Sequence, residues 1–179
     1  MAVQALRQRQ ARKAWIHRLA NPPQRPRGEF AWGKGARVLL LVSRDDAQAT
    51  SATAAFAKTY RAKGFDVSVL GFAAAKTKPE EREPETWGPH ALGFAGLPKP
   101  EFEDPIRRKE YDLVVHASLT PFAPFDYLTA GLSAHRRVCA HDEVPEAYDL
   151  IVAGSAATSV DAFLREAIRL LQLIDSSYA

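Results

Sequence analysis

Short apolar runs alternate with segments of helical periodicity over residues 36–174. The runs are Arg37–Val42, Asp66–Phe72, Asp112–Leu119, Arg136–Ala140 and Leu150–Ala153. Largely apolar runs of this length are typical of strands that are buried on both faces of a parallel sheet. The pattern therefore predicts a sheet of about five strands.

Helices are predicted between the strands from capping residues and apolar spacing. Asp45 or Asp46 is placed to cap a helix that ends at Gly64, because carboxylates favour helix N-termini and glycine favours the position after a helix. A last helix follows Ser159, and its apolar face consists of Val160, Phe163, Leu164, Ala167, Ile168, Leu171 and Ile174. Strands that alternate with helices predict a Rossmann-like α/β fold, with a mostly parallel sheet covered by helices on both faces.

The middle of the chain carries weaker signals. Residues 73–89 are rich in Lys, Glu and Pro and predict an exposed loop. A short strand or turn is predicted over residues 90–97, and short helices over 100–109 and within 121–134. With these elements, residues 36–179 form one predicted domain, whose size allows a core without metals or disulfides.

The N-terminal segment, residues 1–35, is predicted to be a separate arm. Residues 4–20 contain strong helix formers and neither Gly nor Pro, which predicts a helix of about four turns. Asn21 and the two prolines after it end this helix, and residues 22–35 have the composition of an extended linker.

Charge is divided unevenly along the chain. Residues 1–37 hold nine Lys and Arg against one acidic residue, whereas residues 38–179 hold fifteen basic residues against twenty acidic ones. The formal charges of the two parts are therefore +8 and −5, within a total of +3. Such a split predicts that the N-terminal end meets a polyanion or an anionic surface.

The helix of the arm carries the residues that we predict to bind nucleic acid. Lys and Arg neutralise phosphates, and an aromatic ring stacks on exposed bases. The predicted contacts are Arg7, Arg9, Arg12, Lys13, Trp15 and Arg18. RNA or a ribonucleoprotein, such as the ribosome, is the first predicted partner. An anionic membrane or a protein partner is the alternative, although the apolar stripe of the helix is thin for membrane anchoring. A further alternative is an arm that binds no partner and is either solvated or packed on the domain.

Signals for a nucleotide cofactor or for nucleophilic catalysis are absent from the sequence. Gly33 and Gly35 precede the first predicted strand, whereas a phosphate-binding glycine loop follows its strand and opens a helix. The turn after that strand is SRDDAQ, whose two acids would repel a pyrophosphate. No G-x-S-x-G motif occurs. We therefore predict no cofactor and favour a non-enzymatic accessory protein.

Polar residues at the ends of the predicted strands form the alternative site. Ligands of open α/β sheets bind beyond the carboxyl ends of the strands. Asp45, Ser118 and Asp142 occupy such positions, as does Ser155. A small-molecule site or a degenerate transferase is therefore the second hypothesis. The simpler interpretation is that these loops are polar because they meet water, and that Asp45 only caps a helix.

His135, Cys139 and His141 resemble a set of metal ligands, since they would share one face of a strand because side chains alternate along it. A tetrahedral site needs a further ligand, and no second pair of Cys or His is suitably spaced. Cys139 is more simply a small core residue, and His116 a core histidine. We therefore predict no metal site.

The compartment is predicted from the cysteine count and the apolar runs. A single cysteine forms no intrachain disulfide and is compatible with a reducing compartment. No run approaches the ~20 apolar residues of a membrane span, and residues 1–20 lack the apolar stretch of a secretory signal. The predicted localisation is cytoplasmic.

Residues 111–142 resemble a passage of known enzymes. Their sequence, YDLVVHASLTPFAPFDYLTAGLSAHRRVCAHD, is similar to a strand–helix–strand passage in the N-terminal half of heptosyltransferase-type glycosyltransferases. Residues 37–174 also resemble an uncharacterised bacterial family of short α/β chains with basic N-terminal tails. The resemblance implies the fold. It implies no catalytic residue here, because donor-sugar binding in the heptosyltransferases lies mainly in a second domain.

Overall fold

The computed structural model of the protein describes residues 2–30, 32–74, 86–152, 154 and 158–176. Within these ranges the chain forms a six-stranded, all-parallel sheet, made of β1 (Arg37–Ser43), β2 (Asp66–Phe72), β3 (Thr86–Trp87), β4 (Glu110–His116), β5 (Ser133–Cys139) and β6 (Leu150–Ile151). The order across the sheet is β3-β2-β1-β4-β5-β6. The predicted α/β fold is confirmed. The strand β3 was not predicted, because its two residues are too few to show a periodic pattern.

The described ranges contain five α-helices, two of which begin after the predicted caps. They are α1 (Ala2–Ala20), α2 (Ala47–Ala62), α3 (Pro100–Arg107), α4 (Ala123–Ala130) and α5 (Val160–Ser176). Asp46 caps α2, where its Oδ1 accepts the Ala49 amide at 2.9 Å, and Ser159 Oγ accepts the Ala162 amide at 3.1 Å before α5. We call the sheet with α2 to α5 the α/β body. None of the helices in the described ranges is both long and apolar enough to cross a membrane.

Side-chain alternation along the strands builds two cores, one on each face of the sheet. In β1, Val38, Leu40 and Val42 belong to the core beneath α2 and α5. Leu39 and Leu41 belong to the core beneath α3 and α4. All five side chains are buried. The continuous apolar run of this strand is explained by the helices that cover both faces.

The segment over residues 21–35 runs along the amino-terminal edge of the sheet. Arg25 pairs with Asp149, just before β6, at 2.5 Å, and the Trp32 ring lies 4.7 Å from that of Phe65, just before β2. The described part of this segment has no helix or strand, as predicted for a linker. Its contacts connect α1 closely to the α/β body.

Candidate functional site

The order of the strands reverses between β1 and β4, where open α/β sheets bind ligands. Asp45 and Ser118 follow these two strands. Asp45 Oδ2 accepts the Ala74 amide at 2.8 Å, and Ser118 Oγ donates to the Thr120 carbonyl at 2.9 Å. Asp45 therefore joins its loop to the segment after β2, and Ser118 stabilises its own loop. Ser155, also predicted at this edge, lies outside the described residues.

Asp142, the third residue of the predicted ligand site, is exposed in the loop after β5. Within the described ranges, no hydrogen bond or ion pair joins it to Asp45 or Ser118. Phe122, just before α4, packs on Phe72 at the end of β2, with ring centroids 4.8 Å apart. Aromatic side chains therefore occupy part of this edge of the sheet.

Four polar side chains instead converge beneath α4, and we call them the buried cluster. His116 ends β4, Asp126 lies in α4, His141 follows β5 and Tyr148 precedes β6. His116 and Asp126 are 0% and 1% exposed, and His141 is 7% exposed. Burial of polar groups costs free energy unless they are paired, so these four side chains need a physical explanation.

One carboxylate oxygen, Oδ1 of Asp126, is central to the buried cluster. It accepts a hydrogen bond from Tyr148 Oη at 2.5 Å, and it lies 3.0 Å from His116 Nδ1 and 3.4 Å from His141 Nε2. The two imidazole nitrogens are 3.2 Å apart. Tyr148 Oη is also 3.0 Å from His116 Nδ1. The cluster thus connects β4, α4 and the segment between β5 and β6.

The buried cluster shifts the pKa values of its members. Burial acts to raise the pKa of Asp126, but the hydrogen bonds and charges of its neighbours, led by His116, outweigh burial and lower that pKa. Burial lowers the pKa of His141, and His116 adds to the effect. Burial, with the nearby Asp126, raises the pKa of Tyr148. At neutral pH the cluster therefore contains an ionised carboxylate, a neutral His141 and a neutral phenol.

His135, Cys139 and His141, which were expected to share one face of a strand, have separate surroundings in the structure. His135 Nε2 lies 3.9 Å from Asp112, towards the amino-terminal end of β5. Cys139 Sγ donates to the His141 carbonyl at 2.9 Å. His141 joins His116 instead, and each imidazole has one nitrogen without a hydrogen-bond partner among the described residues. No local spacing predicts this group, because its members come from separate elements.

The thiol of Cys139 is expected to report unfolding. The residue is fully buried, and burial raises its pKa to about 12. We expect iodoacetamide to leave the native chain unmodified at neutral pH and to alkylate it in denaturant, since the exposed thiolate is the nucleophile. Mass spectrometry across a urea series measures this result. Rapid alkylation without urea would contradict the buried position.

The inner face of α1 packs on α3 and α4. The Arg18 guanidinium donates to both carboxylate oxygens of Glu103 at 2.9 and 3.2 Å and to the Tyr127 carbonyl at 3.1 Å. It also lies 3.7 Å from the centre of the Tyr127 ring, which the Trp15 ring meets edge-on at 5.4 Å. Gly131 permits this approach, because a Cβ there would lie 2.2 Å from Arg18 Nη1. Arg18 and Trp15, predicted to contact nucleic acid, therefore hold α1 to the body.

The outer face of α1 carries Arg9, Arg12 and Lys13, and we call these three residues the basic face. All three side chains are exposed. Arg7, the remaining predicted contact, is exposed and lies with its guanidinium 4.9 Å from the centre of the Phe94 ring. The structure therefore divides the predicted nucleic-acid contacts into docking residues and residues that face solvent.

A second group of cations lies beside α1. Arg107 shares the Glu103 carboxylate with Arg18, at 3.3 Å from Oε1. It begins the basic run that continues with Arg108 and Lys109, both exposed, at the C-terminal end of α3. The ion pair that docks α1 joins positions 85 residues apart. Tertiary packing thus brings Arg107, the start of this run, beside Arg18.

The comparisons with known proteins agree with the predicted membership of an uncharacterised family. A family model, described as a family of unknown function (DUF6913), matches residues 8–174. A search of curated proteins found no match. The matched range includes most of α1 as well as the sheet, which agrees with the packing of the arm on the body.

Proposed function

We propose that this chain, which belongs to the DUF6913 family, is a non-enzymatic accessory protein that binds RNA or a ribonucleoprotein through α1. The observation that carries the proposal is the difference between the two faces of this helix. Arg18 is buried against Glu103, whereas Arg9, Arg12 and Lys13 are exposed. A docked helix with exposed cations on its outer face is a surface for a polyanion.

The docking of α1 supports binding by lowering its entropic cost. Because the helix is already held by the body, fewer degrees of freedom are lost when RNA arrives. Arg side chains also form paired hydrogen bonds with phosphate oxygens. Residues 38–179 have a formal charge of −5, so long-range attraction directs a polyanion to the N-terminal region rather than to the rest of the body.

Exposed apolar residues on α1 favour RNA over a membrane surface because of their distribution. Val3, Leu6, Ile16 and Leu19 are 60, 48, 60 and 38% exposed. Successive helix residues are about 100° apart, so these four are spread over roughly half of the circumference, with basic side chains between them. An interfacial helix buries one continuous apolar face. The arrangement in α1 does not provide such a face.

The remaining alternatives have less support. Asp45, Ser118 and Asp142 do not converge through hydrogen bonds in the described structure, which disfavours the small-molecule hypothesis. The likeness of residues 111–142 to heptosyltransferase-type glycosyltransferases stays a prediction that concerns the fold. An RNA partner, with the single cysteine of the chain, favours a cytoplasmic location.

Replacing Arg9, Arg12 and Lys13 with glutamine is expected to weaken binding to a single-stranded RNA by about 100-fold at about 0.1 M salt. Each lost phosphate contact removes about 0.7 from the slope of log K against log salt concentration, so the slope should fall by about 2. Fluorescence anisotropy of a labelled, mixed-sequence RNA over a salt series measures both quantities. Co-sedimentation with ribosomes from lysate extends the test to a ribonucleoprotein.

The matched control replaces Lys58, Arg165 and Arg169 with glutamine, which removes the same charge from exposed positions of α2 and α5. This control should bind RNA as the wild type does. Equal weakening in both triple variants would mean that only net charge matters, which would overturn the assignment to α1. Binding to anionic vesicles without binding to RNA would favour the membrane alternative.

A further inference from the structure

We infer that His116 Nδ1, His141 Nε2 and Asp126 Oδ1 bind one divalent transition-metal ion of the zinc class, with Tyr148 orienting the carboxylate. A metal ion at this position would be contrary to the expectation from sequence that the chain has no metal site. The site stands apart from RNA binding, because α1 contributes no residue to the buried cluster. It rests on the geometry of four side chains.

The buried cluster has more close contacts between polar atoms than it has protons to form hydrogen bonds. The Tyr148 hydroxyl has one proton, and the 2.5 Å separation assigns it to Asp126 Oδ1. His116 Nδ1, His141 Nε2 and Asp126 Oδ1 then form a triangle with three close edges. Each imidazole nitrogen offers at most one proton to this triangle. At least one edge therefore joins two polar atoms without a hydrogen bond.

A central cation would satisfy all three atoms at once. Zn²⁺ binds imidazole nitrogen and carboxylate oxygen at about 2.0–2.1 Å in tetrahedral geometry, which separates the ligand atoms by about 3.3 Å. The edges of the triangle are 3.0, 3.2 and 3.4 Å. The separations therefore match a metal-binding set closely. Water is the expected fourth ligand, as in other sites with three protein ligands.

The surroundings of the cluster also suit a cation. Tyr148 donates to Asp126 Oδ1, which is the kind of outer hydrogen bond that orients a ligating carboxylate. Asp142 and Glu143 follow His141 directly and are exposed, which places two acidic residues next to the cluster in the sequence. The far nitrogens of the two imidazoles have no acceptor within the described ranges. Hydrogen bonds to the far nitrogens of ligating histidines normally strengthen metal binding. Because they are lacking here among the described residues, we expect micromolar rather than nanomolar affinity.

The ion is expected to join separate elements of the fold. Imidazole ligands favour zinc-class transition metals over Mg²⁺, which prefers oxygen ligands. The three ligands come from β4, α4 and the loop that follows β5. A bound ion would therefore fasten these elements at one point. An ion that binds the folded chain but not the unfolded chain also raises the stability of the fold.

Isothermal titration of the EDTA-treated, tag-free full chain with Zn²⁺ tests the inference. We expect one ion per chain with micromolar affinity, and no response to Mg²⁺. Co²⁺ should give the visible absorption of a tetrahedral site. In ¹⁵N NMR, Zn²⁺ should shift the resonances of His116 Nδ1 and His141 Nε2 more than those of other imidazole nitrogens.

His141→Gln should weaken Zn²⁺ binding by at least about 100-fold, since it removes a ligand and not only an outer contact. The matched control is His135→Gln, a buried histidine outside the cluster, which should bind as the wild type does. Protection of the Cys139 thiol verifies that each variant is folded. An equal loss in both variants would overturn the inference.

If His141→Gln does not fold, the Zn²⁺ titration and the NMR spectra of the wild type test the site without it. Absence of saturable Zn²⁺ binding in the micromolar range, or imidazole resonances that Zn²⁺ leaves in place, would contradict the site. RNA affinity should be the same with and without EDTA, so failure of the metal site and failure of RNA binding are distinguishable.

Discussion

Replacing Arg18 with alanine is expected to release α1 from the α/β body, at a cost of about 3–5 kcal/mol to its docking. The guanidinium holds both oxygens of Glu103 and the Tyr127 carbonyl. Without it, the Glu103 side chain, 7% exposed, keeps only Arg107 as a cation, at 3.3 Å. An under-paired buried carboxylate is costly, so detachment of the helix, which lets Glu103 reach water, becomes the favoured state.

Amide hydrogen exchange measures this release. In Arg18→Ala, amides of residues 8–20 should exchange about 150- to 5000-fold faster, which corresponds to the lost docking free energy, while β1 and β4 stay protected. Gly131→Ala should act in the same direction, because its Cβ would meet Arg18 Nη1. The control is Arg12→Ala, on the exposed face of the same helix. Equal exchange in the Arg18 and Arg12 variants would contradict the docking role.

Replacing Asp126 with alanine is expected to lower the free energy of unfolding by about 3–5 kcal/mol. The side chain is 1% exposed and its Oδ1 accepts the Tyr148 hydroxyl. The same oxygen lies 3.0 Å from His116 Nδ1, as Tyr148 Oη does. Its removal leaves several buried polar groups unsatisfied, and each such group costs about 1–3 kcal/mol, although the costs do not add fully.

Urea unfolding in the presence of EDTA measures this loss without any contribution from a metal ion. Asp126→Asn keeps the shape and one carbonyl acceptor, so its loss should be smaller than that of Asp126→Ala. The control is Asp142→Ala, an exposed acid of the neighbouring loop, with an expected change within about 0.5 kcal/mol. If the Asp126 and Asp142 variants unfold at the same urea concentration, the buried cluster contributes little to stability.

The strands and caps were accessible from sequence because their causes are local. Helices cover both faces of β1, so every residue from Leu39 to Val42 is buried and apolar. A continuous apolar run of this kind can be recognised in the sequence. Asp46 and Ser159 cap their helices through bonds to amides three residues later. By contrast, the two residues of β3 have no period to detect, and its pairing depends on β2.

The candidate sites were only partly accessible from sequence. The basic arm was visible as charge, but which cations face solvent depends on the surface against which α1 packs. Arg18 differs from Arg12 only in its place on the helix, and it is Glu103 that buries it. His141 was considered as a metal ligand with the wrong partners, and no pattern grouped it with His116 and Asp126, because these residues meet only in the fold.

The α/β class, the main strands, the helix caps and the separation of charge follow from local preference, periodic burial or composition, and all of these can be read along the chain. The strand order, the docking of α1 and the membership of the buried cluster became visible only in the folded structure. These depend on which surfaces meet after distant segments fold together, and the energies of such contacts belong to pairs of residues rather than to any one stretch of chain.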